Sequence, residues 1–220
     1  SPIANATLHS VTVWDSPKTS AQLDAINRGT RFNPIHLFGD TALNNHQQKE
    51  QLALLSSPNG YIAYSQDGVG GTSLTQQAAR YATPYTKWHD DTLLIIDIGF
   101  DGTGAQAVTA LQSIVSNINH DRWAYVQPNP VHNDGTQERT DHDAEIATIY
   151  AYCGFDHYIP TLAGMQAASS GTGQDAIDVG HNIWPDSQRS DATHLSAAGQ
   201  ATFAGILQTW LVSRGWSSGT

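Results

Sequence analysis

Short apolar runs separated by polar, helix-compatible stretches recur along the chain, and their spacing predicts alternating strands and helices. The first run, within Pro34 to Asp40, ends in Gly39-Asp40, as a buried strand does at a tight turn. A second strand is expected over Tyr61 to Ser65, leading into Asp67-Gly68-Val69-Gly70-Gly71-Thr72-Ser73, where the glycines imply positive φ or close backbone approach. Thr92 to Gly99 is apolar on both faces, as a central parallel strand should be. Trp123 to Gln127 and Phe155 to Ile159 complete the strands. Helices are expected over Asn45 to Leu55, Leu74 to Tyr81, Ala105 to Ile118, Asp141 to Tyr152 and Ala197 to Ser213. Residues 160–190 are rich in Gly, Ser and Asp and follow no clear period.

This alternation predicts an α/β fold: a three-layer α/β/α sandwich around a mainly five-stranded parallel sheet, flavodoxin-like in plan. Residues 1–33, with one helix candidate at Ser20 to Arg28, read as an N-terminal arm or cap, and residues 34–220 as the main domain. In such sheets ligands bind beyond the carboxyl ends of the strands. The chemically notable residues fall at those ends: Asp40-Thr41, Gly68 to Thr72, Phe100-Asp101 and Pro128 to Asn133.

Composition narrows the function. A net charge of −10 with no basic run argues against nucleic-acid and anionic-membrane partners. No apolar run reaches membrane-spanning length. The single cysteine, Cys153, excludes an internal disulfide and reads as a core residue at the end of a buried helix. The chain begins at Ser1 without Met, as expected of a trimmed or excised chain. Its acidic, disulfide-free, Ser/Thr/Asn-rich character points first to a secreted enzyme and second to a domain of a larger surface or phage-tail protein.

The candidate chemistry starts at Asp191-Ala192-Thr193-His194, just before the last predicted helix. A carboxylate three residues before an imidazole can hold one ring nitrogen and leave the other as a base. The same pattern also suits a polar loop in which Asp191 caps the helix. His132, Asp134, Asp141, His142 and Asp143 crowd the fourth-strand loop but form no closed ligand set, so no metal is assigned. Gly68 to Gly71 lacks the Lys-Ser/Thr ending of a phosphate loop, and no cofactor is implied. His36, within a strand, reads as a satisfied core residue. Trp184 suits either stacking on a sugar ring or packing in the core.

Taken together, these blocks resemble the SGNH, or GDSL-type, esterases and lipases over about Ile35 to Leu207. Gly39-Asp40-Thr41 stands where the family has Gly-Asp-Ser. Gly71 matches the glycine after the second strand, with Gly70 as an alternative. Gly99-Phe100-Asp101-Gly102 stands in place of Gly-x-Asn-Asp. Asp191 and His194 match Asp-x-x-His, with a similar continuation to Gly199. The resemblance implies the SGNH hydrolase fold and a catalytic set of Thr41, His194 and Asp191. It places the oxyanion hole at Thr41, Gly71 and Asp101; separately, Asp40, which can equally brace its turn, Asn129, His132 and Trp184 are the candidate substrate contacts.

Two positions depart from the family. Thr41 keeps the nucleophilic hydroxyl but adds a methyl that restricts χ1. Asp101 donates to an oxyanion only when protonated; otherwise the backbone N–H groups of Thr41 and Gly71 carry the hole. The expected activity is an esterase that removes O-acetyl groups from a carbohydrate, acting on an acylated small molecule or polysaccharide. Part of that expectation is the block Gln66 to Gly71, which resembles pectin-deacetylating members. The alternative is a carbohydrate-binding or adhesion module that kept the fold and lost efficient catalysis. A deliberate change at Thr41 or Asp101 to trap a complex is a third possibility. The sequence does not select an oligomeric state.

Overall fold

A computed structural model describes residues 35–39, 64–82, 93–97, 103–118, 121–128, 137–191 and 194–214, all within the unit Asn33–Thr220. The expected N-terminal arm and the helix over Asn45 to Leu55 lie outside the described residues. In chain order the elements are β1 (Ile35–Gly39), β2 (Tyr64–Gly68), α1 (Leu74–Tyr81), β3 (Leu93–Asp97), α2 (Gly104–Val115) and β4 (Trp123–Val126). They continue with α3 (Gln137–Cys153), β5 (Tyr158–Ile159), α4 (Leu162–Ala167), α5 (Gly173–Gly180), a 3₁₀ turn (Asp186–Gln188) and α6 (Ala197–Ser213).

The five strands form one sheet in the order β2-β1-β3-β4-β5, and every pair is parallel. The register sets Gly39 opposite both Gly68 and Asp97, so three strands end at one level. The order reverses between β1 and β3, and the crevice at such a switch point is where open α/β sheets bind ligands.

Strand alternation divides the core between the two faces. Ile35, Leu37, Ile95, Ala124, Val126 and Ile159 pack with Met165 of α4, Trp184, Leu195 and the α6 residues Phe203, Leu207 and Leu211. Phe38, Ile96, Tyr125 and Tyr158 face the other way, onto α1, α2 and α3 through Tyr81, Leu111, Ile114 and Ile149. Each large apolar side chain buried this way is worth about 1.5–3 kcal/mol. The result is the three-layer α/β/α architecture that the alternation predicts.

The α1 and α6 bounds match the sequence expectation, because each begins at a serine cap. Ser73 and Gln76 form a reciprocal capping box, and Ser196 accepts from the Gly199 N–H at 3.1 Å. Other bounds differ for physical reasons. The second strand ends at Gly68 rather than Ser65, because Ser65-Gln66-Asp67-Gly68 offers no apolar run to mark its end; among the described strands it lies at the sheet edge, paired with β1. Helix α3 starts at Gln137, four residues before the expected Asp141, in a polar stretch where no apolar period marks the helix. It stops before Gly154, whose φ of +65° suits a left-handed helix end. The fifth strand is reduced to Tyr158–Ile159. Phe155 lies outside it, 71% exposed, with the Arg214 guanidinium 3.9 Å from its ring centre.

Candidate active site

The region without a readable period, residues 160–190, supports the Asp191–His194 pair. Helix α5 buries two carboxylates, Asp175 and Asp178, on one face, as i, i+3 spacing allows. Asp175 accepts from the Ser170 N–H (2.7 Å), the Ser187 N–H (2.8 Å) and the Ser187 hydroxyl (2.7 Å). Burial opposes its ionisation, but the hydrogen bonds from Ser187 and Ser170 outweigh that and hold the carboxyl at about 2. Asp178 accepts from Arg189 Nη2 at 2.6 Å and from Gln174 at 2.7 Å. Both carboxylates therefore grip the segment that runs into Asp191.

That segment turns back on itself. Arg189 and Leu195 form an antiparallel bridge, flanked by Ser190 N–H to His194 O (2.9 Å) and Ser196 N–H to Gln188 O (3.0 Å). Ser196 also donates its hydroxyl to Ser187 O at 3.0 Å, and Thr202 of α6 donates to Gln188 Oε1 at 2.8 Å. Gly199 completes the clamp. A Cβ there would sit 1.9 Å from the Gln188 carbonyl oxygen, so only glycine lets the first turn of α6 approach this closely. Leu195 is buried in the sheet-facing core, which anchors the returning arm.

At the head of this hairpin, His194 Nδ1 lies 2.7 Å from Asp191 Oδ2 and 2.9 Å from Oδ1. The His194 backbone N–H also donates to Asp191 Oδ1 at 2.9 Å. One carboxylate thus fixes the ring relative to its own backbone. With Nδ1 donating, the neutral imidazole carries its lone pair on Nε2, the tautomer that a general base needs. The pair is reachable, with the His194 side chain 38% exposed and that of Asp191 54%. The bond between them orients the ring more than it stabilises the protein, because exposed ion pairs contribute little.

At the sheet edge, β2 runs through Val69 and Gly70 into Gly71, which has a φ of +70°. An ideal Cβ on Gly71 would meet nothing within 4 Å, so the approach to its backbone is open. The turn is braced by the Thr72 hydroxyl donating to Val69 O (2.8 Å) and by Gln77 Nε2 donating to Thr72 O (3.0 Å). The Val69 N–H donates to Gly39 O at 3.0 Å and joins the ends of β1 and β2.

Several sequence candidates, Asp40, Thr41, Asp101, Asn129 and His132, lie outside the described residues. The structure therefore brings together Asp191 and His194, and places Gly71 at a strand end. Trp184 resolves toward packing: it is 4% exposed and meets Phe203 edge-on at 6.1 Å, so its ring is not presented for sugar stacking. His36 is buried in β1, and Cys153 is buried with its thiol pushed up to about 12 by that burial. Among the described residues, no group of three or more His, Cys, Asp or Glu could hold a metal, and no helix is long and apolar enough to cross a membrane.

Sequence reasoning missed Asp175, Asp178, Ser187 and Arg189, which hold the hairpin. The only signal was the Asp-x-x-Asp spacing, and that pattern is as common on solvated helices.

No family model and no curated protein matches the chain. Solved structures do. A protein assigned to the lipolytic G-D-S-L family from Desulfitobacterium hafniense DCB-2 superposes with a TM-score of 0.59 and 12% identity, covering 81% of this chain and 99% of its own. A lipolytic G-D-S-L family member from Veillonella parvula DSM 2008 gives 0.59 and 10%, covering 80% and 96%. The fold is that of the GDSL-type lipolytic proteins. The C-terminal catalytic domain of peptidoglycan O-acetyltransferase A from Streptococcus pneumoniae shares it at 0.52 and 12%, covering 84% of this chain and 96% of that domain. At these identities the likeness establishes the GDSL-type architecture, and the chemistry rests on the site itself.

Proposed function

We propose that this protein is an acyl-ester hydrolase that uses Thr41, His194 and Asp191. The observation that carries the reading is the grip of Asp191 on His194 Nδ1, at 2.7 Å, directly before the last helix of a GDSL-type fold. In the proposed reaction His194 Nε2 takes the Thr41 hydroxyl proton as Oγ attacks the ester carbonyl carbon. The oxyanion is met by the backbone N–H groups of Thr41 and Gly71, and by Asp101 when its carboxyl is protonated. The bond to the leaving alcohol breaks, and His194 returns its proton to that oxygen. Water then attacks the acyl-threonine ester, losing a proton to His194, and releases the acid as Thr41 is reprotonated.

The finer reading is removal of O-acetyl groups from a carbohydrate. It is supported by the acidic, polar chain and by a fold shared with a peptidoglycan O-acetyltransferase domain. A small acyl group also suits Thr41, whose methyl narrows the attack path.

The test is release of p-nitrophenol from p-nitrophenyl acetate, with His194→Ala as control. The expected result is turnover that falls by at least about 100-fold in the variant. Thr41→Ser and Asp101→Asn together should raise kcat. Equal background rates in wild type, His194→Ala and the double variant would refute the hydrolase and favour a carbohydrate-binding module.

A further inference from the structure

Arg80 lies in the last turn of α1. Its guanidinium reaches across to the sheet edge, where Nη2 donates to Gly39 O at 3.0 Å and to Asp67 O at 2.9 Å. Its Nε lies 3.8 Å from Asp67 Oδ1, and its Cζ sits 4.6 Å above the Phe38 ring centre. The side chain is 15% exposed, so these bonds are made largely out of water. Charge-assisted donors in that setting are stronger and stiffer than neutral ones.

The two carbonyls are not ordinary ones. Gly39 O belongs to the peptide leading into Asp40 and Thr41, and Asp67 O to the peptide leading into the Gly68–Gly71 turn. A peptide is planar, so pinning its oxygen fixes the direction in which the chain leaves. Gly39 O is pinned twice, by Arg80 and by the Val69 N–H at 3.0 Å. Arg80 thus joins the end of β1, which leads into the proposed nucleophile, to the turn that would carry an oxyanion donor. Both bonds come from Nη2, the far end of a planar group stacked over Phe38, and lysine offers neither that stacking plane nor that reach.

We propose that Arg80 is a positioning residue for hydrolysis, holding the end of β1 that leads into Thr41 in register with the Gly71 turn. This rests on the esterase reading above. The role runs through the two carbonyls. Because misplacing reacting groups by about 1 Å costs roughly 100-fold, losing the fork should lower kcat while substrate binding persists.

The experiment compares wild type, Arg80→Ala, Arg80→Lys and His194→Ala in p-nitrophenyl acetate turnover, with thermal melts on each. Arg80→Ala should lower kcat by roughly 10- to 100-fold with KM changed less than about threefold. Guanidinium at millimolar concentration should restore several-fold of that loss, whereas urea at the same concentration should not. Arg80→Lys, which keeps the charge beside Asp67, should melt near wild type yet remain about tenfold slower. Amide exchange should accelerate at Val69 in Arg80→Ala and stay unchanged across α6. His194-dependent turnover unmoved by both Arg80 substitutions overturns the positioning role alone. So does a loss that follows melting temperature and ignores guanidinium. Turnover indifferent to His194→Ala overturns the esterase reading and this proposal with it.

Discussion

At the scale of single residues, Gly71 is where backbone conformation and proposed chemistry meet. Its φ of +70° costs an L residue about 1–2 kcal/mol, yet the space around its missing Cβ is open. Stability and activity therefore separate in Gly71→Ala. Urea unfolding should show a loss of about 1 kcal/mol, while kcat/KM for p-nitrophenyl acetate should fall by at least about tenfold as the methyl shields the N–H. Parallel losses explained by unfolding alone would remove Gly71 from the oxyanion hole. His194 is the complementary case. The Asp-x-x-His spacing was visible in the sequence, but the double use of Asp191, toward the ring and toward the backbone N–H, appears only in the structure.

Secondary elements decide how firmly that pair is held. The hairpin from Gln188 to Ser196 is clamped from below by α5 and from the side by α6, with the Gln188 carbonyl against Gly199. Gly199→Ala would force a Cβ into that carbonyl, an overpacking cost of about 1–3 kcal/mol or more. The expected outcome is a lower melting temperature together with a fall in hydrolysis, because the hairpin carrying His194 must move. Wild-type turnover in a Gly199→Ala variant with a lowered melting temperature would show that the clamp stabilises the fold without positioning the base. The element boundaries teach the same point. Helix α1 and helix α6 were readable because each has a serine cap followed by apolar spacing. Helix α5 was not, since the residues that matter on it are buried aspartates, and burial of a charge depends on partners twelve or eleven positions away.

For the molecule as a whole, the acid limb of stability is set partly by Asp175. Its carboxyl titrates at about 2 when folded and near its ordinary 3.8 when unfolded. Being depressed, it adds stability that is fully present above about pH 4 and is lost as pH falls through about 2. Asp175→Asn should flatten melting temperature against pH between 4 and 2, while leaving Ser170 and Ser187 fewer acceptors and a lower plateau at neutral pH. An unchanged slope in that window would assign the acid sensitivity to other carboxylates.

At that same scale, the amino-acid pattern alone determined the architecture. Apolar runs of strand length alternating with helical periods permit little besides a parallel sheet covered on both faces, and local caps set two helix limits to the residue. The Asp191–His194 block before the last helix and the glycine turn after β2 were equally legible, because each is a local motif. The tertiary structure decided what local pattern does not encode. It sent Trp184 into the core, made β2 a polar edge strand, buried the carboxylates of α5 beneath the His194 hairpin, and sent Arg80 to two carbonyls on neighbouring strands. Each of those outcomes depends on which distant groups share a desolvated space, and only the folded chain brings them there.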